Sequence, residues 1–506
     1  MFLSFKSAAL NMLDILVLQM KKINSRYVII GLAAILSRLI TFGNPILYTD
    51  EEFYFAVGRA VSNGALPFVD IWDRKPIGLF LLYALPASLP GQFGIWLYQA
   101  MALACAGATA AVVGRLADLA GWKRGGTLAG VAYLVWVTIA GGQGGQSPVF
   151  YNLAMALAAL LIVRQEAPAR WQGALAMLLV GMAIQVKYTV ALEGVYFGLW
   201  LLLVEWRRAR RALVVIAWGS ALVGIALLPT VAVIGVYAAL GALPAFVFAN
   251  FESIFARHSD PLGVEIANLA KAAAILVPLL AMAAAARRHA TDRVIKPDIF
   301  LTGWLLVALL AFAVLPPWTD HYTLPVMLPA AVLAAGLLSR SRGRRIAIGL
   351  IVVAALAGQA SLIIDRQRRG TPAQFARLVE AIGRGPGCLY VYSSSSMLYP
   401  ATERCAVSAY VFPSHLTRDR ENGSIGVDQL AELRRIFARA PAVVVMGPPY
   451  DGERPDIRAA ALGLLGKDYR LASHVRLGRK QVVVYRRIAQ AAPQRSRPTL
   501  SFADPR

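Results

Sequence analysis

The sequence predicts a polytopic α-helical membrane protein with a small α/β domain at its C-terminal end. Three observations carry this. Of the 506 residues, 58% are hydrophobic, the mean hydropathy is +0.57, and apolar runs of about 20 residues, enough to cross a bilayer, recur along the first 364 positions. Soluble chains are less apolar than this. The formal net charge of +23, from 51 Lys and Arg against 28 Asp and Glu, raises the question of nucleic acid. No recognition motif accompanies it, and the cations cluster between apolar runs, the pattern of cytoplasmic loops. Nucleic acid is therefore not an expected partner.

Residues 1–26 have only Lys6 before their apolar part and no small-residue cleavage site. They read as a cytoplasmic, amphipathic segment rather than a signal peptide. About eleven transmembrane helices are expected, at 27–43, 93–117, 126–142, 148–164, 171–186, 189–205, 213–239, 268–286, 297–315, 322–338 and 345–364. Residues 77–90 are apolar but short and broken by Pro86 and Pro90, and are expected to be interfacial or re-entrant. One alternating set of connections carries the cations, among them Lys123/Arg124, Arg207/Arg208/Arg210/Arg211 and Arg340/Arg342/Arg344/Arg345. The other set, 44–76, 143–147, 187–188, 240–267 and 316–321, is acidic or neutral apart from Lys187. That alternation puts the N-terminus in the cytoplasm and the first loop, 44–76, outside. The expected location is a bacterial inner membrane.

After residue 364 the composition changes. "CLYVYSSSS", "AVVVMG" and "QVVVYRR" read as short buried strands, while "DQLAELRRIFARA" and "PDIRAAALGLLG" have helical periodicity with Asp near their starts. An α/β domain over 365–488 follows, extracytoplasmic by parity. Cys388 and Cys405 both fall in it, either as a disulfide in an oxidising compartment or as two buried thiols. Three cysteines are too few for a disulfide scaffold or a CxxC metal site. The tail 489–506 reads as disordered.

The chemistry concentrates in the first outer loop, Tyr48–Gly78, "YTDEEFYFAVGRAVSNGALPFVDIWDRKPIG", which holds five carboxylates and three cations. Asp50, Glu51 and Glu52 suit the start of an interfacial helix, where the helix dipole favours acids. After the turn at Gly64–Pro67, the segment Asp70–Pro76 returns two more acids, the Trp72 ring and the pair Arg74–Lys75 to the membrane surface. A carboxylate beside cations at a bilayer mouth is what a phosphorylated lipid substrate requires. The cations hold phosphate and the acid serves as general base on an acceptor hydroxyl. Lys187 lies between two apolar runs, where a charge is costly and functional by default, the bland alternative being snorkelling at a helix end. Asp320-His321-Tyr322 stand at the outer mouth of a helix, as a cap or as donor contacts.

The loop, with its Asp-Glu pair, its Gly-Pro turn and "WDRKP", resembles the GT-C fold glycosyltransferases of the ArnT / protein O-mannosyltransferase type (glycosyltransferase family 39). "GMAIQVKYTVALEGVYFGLWL", "DHYTLPVMLPAAVLAAG" and "GCLYVYSSSSMLYPATERCAVSAY" are similar to other stretches of that family. The resemblance implies a GT-C-like transmembrane domain over 27–364. It also implies sugar transfer from a polyprenyl-phosphate donor to an extracytoplasmic hydroxyl on a glycolipid, polysaccharide or protein. By position in the motif, Asp50 would be the catalytic base and Glu51 its neighbour. Lys75 with Arg74 would hold the donor phosphate. Tyr54, Trp72, Asp73, Lys187, His321 and Tyr322 would complete the substrate contacts. Some relatives carry a second acid near 143–147, where "GGQGGQSPVFYN" has none, leaving Glu252 and Asp260 as the remaining outer acids. No cofactor and no metal site are therefore specified. Two rival functions are a flippase for a lipid-linked anion and a scaffold displaying the C-terminal domain. The first predicts midplane charges and inverted repeats, and no internal repeat is seen; the second leaves the charged loop without a role.

Overall fold

A computed structural model describes residues 25–164, 168–287 and 296–488. Most of the expected N-terminal segment, the cationic stretch 288–295 and the tail 489–506 lie outside the described residues. Each apolar run coincides with a helix. In chain order these are α1 (Ser25–Arg38), α2 (Thr49–Ser62), α3 (Ile77–Ser88), α4 (Gln92–Leu119), α5 (Gly126–Ile139), α6 (Ser147–Val163), α7 (Arg170–Ile184), α8 (Val190–Ala209) and α9 (Ala212–Ala239). A short α10 (Leu243–Val247) runs into one π-helical turn, followed by α11 (Leu262–Arg287), α12 (Lys296–Ala313), α13 (Leu324–Leu338) and α14 (Ser341–Arg369). Five of the described helical stretches are long and apolar enough to cross a membrane. Leu213, Ile216 and Val231 on α9 and Val353 and Leu356 on α14 are exposed, apolar surface of the kind a bilayer covers. The chain is a multi-pass membrane protein.

The segment 77–90 gives α3, a 12-residue helix. It pairs with α2 because Gly58 carries no Cβ: one built there would lie 2.6 Å from the carbonyl carbon of Tyr83. Gly78 plays the same part at the other end, where a Cβ would come within 2.6 Å of the Gln185 oxygen. The Leu79 amide donates to that same oxygen at 3.2 Å. These two close approaches fix the site, since they carry the "WDRKP" segment, just ahead of α3, to the end of α7, where Lys187 begins the turn into α8.

Beyond α14 the chain folds as α15 (Pro372–Ile382), β1 (Leu389–Ser393), α16 (Leu398–Thr402), α17 (Pro413–Thr417), α18 (Gln429–Ala438), β2 (Val443–Met446), α19 (Pro455–Asp468), β3 (Tyr469–Leu477) and β4 (Lys480–Arg487). The sheet order is β1-β2-β4-β3, with β1 and β2 parallel and the other pairs antiparallel. Thr371 and Gln374 form a reciprocal capping box at the start of α15, and Asp428 caps α18 by accepting from the Ala431 amide at 2.7 Å. The three strands expected from their apolar runs are β1, β2 and β4. The fourth, β3, is an edge strand whose middle is largely exposed, so no apolar run announces it. Cys388 and Cys405 are joined as a disulfide.

The α/β unit does not stand apart from the bundle. The Trp72 amide donates to the Ala409 carbonyl at 3.0 Å, and the Trp72 ring belongs to the unit's own core with Tyr392, Leu416 and Ile425. The first outer loop is thus clasped between the two layers.

Candidate active site

The three acids that open α2 follow one another at about 100° per residue, and each meets a different environment. Asp50 faces a cavity of about 420 Å³ at the junction of bundle and α/β unit. Glu51 is buried against the glycine-rich 143–147 loop; a Cβ on Gly144 would sit 2.1 Å from its Oε2. Glu52 pairs with Arg369 at the end of α14 and accepts from the Ser395 hydroxyl at 2.5 Å. Glu51 therefore does not line the cavity, correcting its expected place among the substrate contacts. Burial drives its carboxyl up to about 8, against the lowering effect of the Gly145 amide. Gly144→Ala is expected to overpack this spot and lower stability by about 1–3 kcal/mol, read as a fall in the unfolding temperature of the detergent-purified protein.

The "WDRKP" residues divide in the same way. Asp73, Arg74 and Lys75 line the cavity and Trp72 does not; its ring is spent on the α/β core, which overturns its expected role as a substrate plate. Asp73 is held between Lys75 Nζ at 3.2 Å and His415 Nε2 at 3.8 Å. Arg74 lies 4.9 Å over the Trp72 ring and donates to Glu421 at 2.7 Å and to the Ser424 hydroxyl at 3.2 Å. Arg257 takes the other Glu421 oxygen. Arg74 is thus a strut between loop and α/β unit rather than an unengaged phosphate ligand. Lys75 keeps its ammonium over the rings of Tyr54, at 5.2 Å, and Phe53, at 5.7 Å.

Across the cavity, Lys187 Nζ lies 4.4 Å from the Tyr322 ring centroid, a cation–π contact. His321 Nε2 is 4.0 Å from Asp50 Oδ2, and its Nδ1 is 3.0 Å from the Tyr48 hydroxyl. Asp320 accepts from Tyr48 at 3.1 Å and from Lys271 at 2.9 Å, so it orders the His321 turn instead of entering the cavity. Asp50, Tyr54, Lys75, Lys187, His321 and Tyr322 meet in one place, although they come from three regions of the chain.

Electrostatics set the protonation of this group. Burial pushes the Asp50 carboxyl up, but Lys75, His321, the Gln146 amide and Lys187 outweigh it and hold the group below the usual carboxylate range. Burial also opposes the Lys75 charge, and Asp73 and Asp50 more than restore it, leaving Lys75 above an ordinary lysine. Lys187 lacks comparable compensation, and burial lowers it to about 8. His415 is driven down to about 3, chiefly by burial, and is neutral beside Asp73.

Several cavity residues escaped the sequence reading: Asn250, Arg257, Arg420, Glu421, His415 and Glu193. Glu193 had a signal, a carboxyl inside an apolar run in the manner of Lys187; it accepts from the Trp304 indole. The others lie far along the chain and reach the cavity only because the α/β unit and the 248–261 segment fold over it. Asp260 binds Arg418 and Arg420, at 3.0 and 2.8 Å, and so braces that cover. Glu252 does not line the cavity. Asn152 is a structural contact, donating to Tyr133 at 3.1 Å and to the Leu324 carbonyl at 3.2 Å.

The chain is a multi-pass membrane protein with the GT-C fold. Among solved structures, the chain is similar to ArnT from Cupriavidus metallidurans in the apo state, at 14% identity with a TM-score of 0.62 over 90% of this chain and 97% of that one. It is similar, at 15% identity and a TM-score of 0.61 with the same coverage, to ArnT from Cupriavidus metallidurans bound to undecaprenyl phosphate. No family model and no curated protein sequence matches.

Proposed function

We propose that the protein is a glycosyltransferase that moves a sugar from a polyprenyl-phosphate donor to an acceptor hydroxyl at the extracytoplasmic face of the membrane. The observation that carries this reading is the convergence of one ionised carboxylate, Asp50, with Lys75, Lys187 and His321 in a cavity whose floor is apolar. Ala308, Ala311, Phe312 and Leu315 form that floor, suited to the first isoprene units. The alternation of cationic and neutral loops supports an N-terminus in the cytoplasm and a cavity on the outer side. ArnT, the fold relative, has been seen with undecaprenyl phosphate bound, in keeping with a lipid-phosphate donor. In this reading residues 27–364 hold the lipid and the α/β unit over 365–488 covers the sugar.

The reaction is a single displacement. The acceptor oxygen gives its proton to Asp50 and attacks the anomeric carbon, the bond from that carbon to the phosphate oxygen breaks, and polyprenyl phosphate leaves with the bonding pair. Lys75 and Lys187 balance the charge that grows on the phosphate, and the product has inverted anomeric configuration. Asp50 suits the base role by elimination. Of the other cavity carboxylates, Asp73 is held by Lys75 and His415, Glu421 by Arg74 and Arg257, and Glu193 by Trp304.

The test is release of free polyprenyl phosphate from a radiolabelled polyprenyl-phospho-sugar by the purified protein; no release with any extracytoplasmic acceptor fraction would overturn the reading. The pH profile sharpens it. Because Lys187 is lowered to about 8, its ammonium is complete only well below pH 8 and is lost as pH rises through about 8, so donor affinity should fall on that limb. Lys187→Arg keeps a charge at all these pH values and should move the limb to higher pH.

A further inference from the structure

A second cavity, of about 390 Å³, opens on the other side of α2. Thr49 and Glu52, three positions apart and so on one helical face, line it, whereas Asp50 and Tyr54 line the first. Phe412 is a wall of both. The lining comes from the end of α14, the C-terminal ends of β1 and β2 and the start of β4, and it carries three cations, Arg368, Arg369 and Lys480, against one acid, Glu52. Glu52 neutralises Arg369. Arg368 and Lys480 form no ion pair among the described residues; Asp365, one turn earlier on α14, is the acid that interacts with Arg368. Beside them stands a run of three hydroxyls, Ser393–Ser395. The Ser394 hydroxyl is buried without a hydrogen-bond partner, while Ser393 accepts from the Gly447 amide at 2.9 Å.

Three cations set against the single acid Glu52 leave the recess net positive, and a buried, unmatched hydroxyl is costly. An oxyanion flanked by hydroxyls relieves both at once. We propose that this cavity binds an anionic saccharide, a sugar bearing a phosphate or carboxylate, as the anchoring part of the acceptor. The oxyanion lies on Arg368 and Lys480 and a sugar hydroxyl on Ser394, whose own hydroxyl has no partner among the described residues. Its identification as acceptor rests on the glycosyltransfer reading; the anion site itself does not. The volume is at the small end for ligand pockets and fits one or two sugar rings. Placement on the far face of the same helical turn as Asp50 lets an anchored acceptor present a neighbouring hydroxyl around Phe412 to the base. A phospholipid headgroup would satisfy the same cations, but it would leave the Ser394 hydroxyl without a partner.

The protein is placed in nanodiscs of neutral phosphatidylcholine and titrated with N-acetylglucosamine 1-phosphate and, separately, with undecaprenyl phosphate. The expected result is saturable sugar-phosphate binding that weakens at least about tenfold in Arg368→Gln/Lys480→Gln, given the strength of hydrogen bonds to charged groups, with undecaprenyl phosphate binding unchanged. Lys480→Gln alone, on the exposed rim, should give part of the loss if the double variant folds poorly. Equal binding by wild type and variants overturns the proposal, as does binding lost only in Lys75→Gln. A site that takes phosphatidylglycerol from mixed discs but not the sugar phosphate is a lipid-headgroup site, which also overturns it. Sugar-phosphate binding that persists while undecaprenyl phosphate fails to bind upholds this site and counts against the donor instead.

Discussion

Asp50→Asn is expected to reduce sugar transfer by about 100- to 10,000-fold, the range a positioned general base contributes, while folding and membrane insertion remain intact. The amide keeps the size of the carboxylate but cannot take the acceptor proton. Asp50 has little structural duty to lose: its one close ionisable contact among the described residues is the His321 ring, at 4.0 Å. Glu52 at the same helix start is locked to Arg369 and Ser395, so Glu52→Gln should act on the junction of bundle and α/β unit and hence on stability. Transfer assays run beside thermal unfolding of the two variants separate the cases. Near-normal transfer by Asp50→Asn would sink the assignment of the base.

Lys75→Gln is the second large effect, expected to lower transfer by about 100-fold or more through lost stabilisation of the leaving phosphate. It has a signature that a purely structural lysine would lack. Lys75 is the strongest of the charges that offset the burial of Asp50, so its removal raises the Asp50 carboxyl. Below that raised value the base is protonated, and the acid limb of the pH–rate profile should move to higher pH. Arg74→Gln, one residue away, should leave that limb where it is. Its guanidinium serves Glu421 and Ser424, so the expected change is a less stable union of loop and α/β unit. A shift of the acid limb in Arg74→Gln and none in Lys75→Gln would reverse the two roles.

These two cations show where the sequence is legible and where it stops. In "WDRKP" they are adjacent, both are positive, and general chemistry favours arginine for a phosphate. The fold assigns them the other way because Glu421, some 350 positions later, reaches the loop and takes Arg74. Trp72 likewise reads as an aromatic substrate contact, and it is core only because the α/β unit folds around it. His415, Arg257 and Arg420 are unremarkable in their own neighbourhoods, and no local pattern marks them as lining a cavity.

The sequence by itself determined what depends on short range and on the solvent. Apolar length sets the spans, because a bilayer core demands about 20 apolar residues per helix. Loop charge sets the expected sidedness, apolar runs reveal β1, β2 and β4, and a carboxylate beside cations at a membrane mouth points to phosphate chemistry. Helical phase and distant partners settle which of three neighbouring acids faces the cavity and which of the two cations is tied to the α/β unit. The tertiary fold also decided whether Cys388 and Cys405 pair, and placed β3 at the sheet edge. Those outcomes follow from helical phase and from partners hundreds of residues away, set by contacts as close as Gly58 on Tyr83 and Gly78 on Gln185. A carboxylate's role is fixed by what surrounds it in space, and in this protein most of those surroundings come from the far end of the chain.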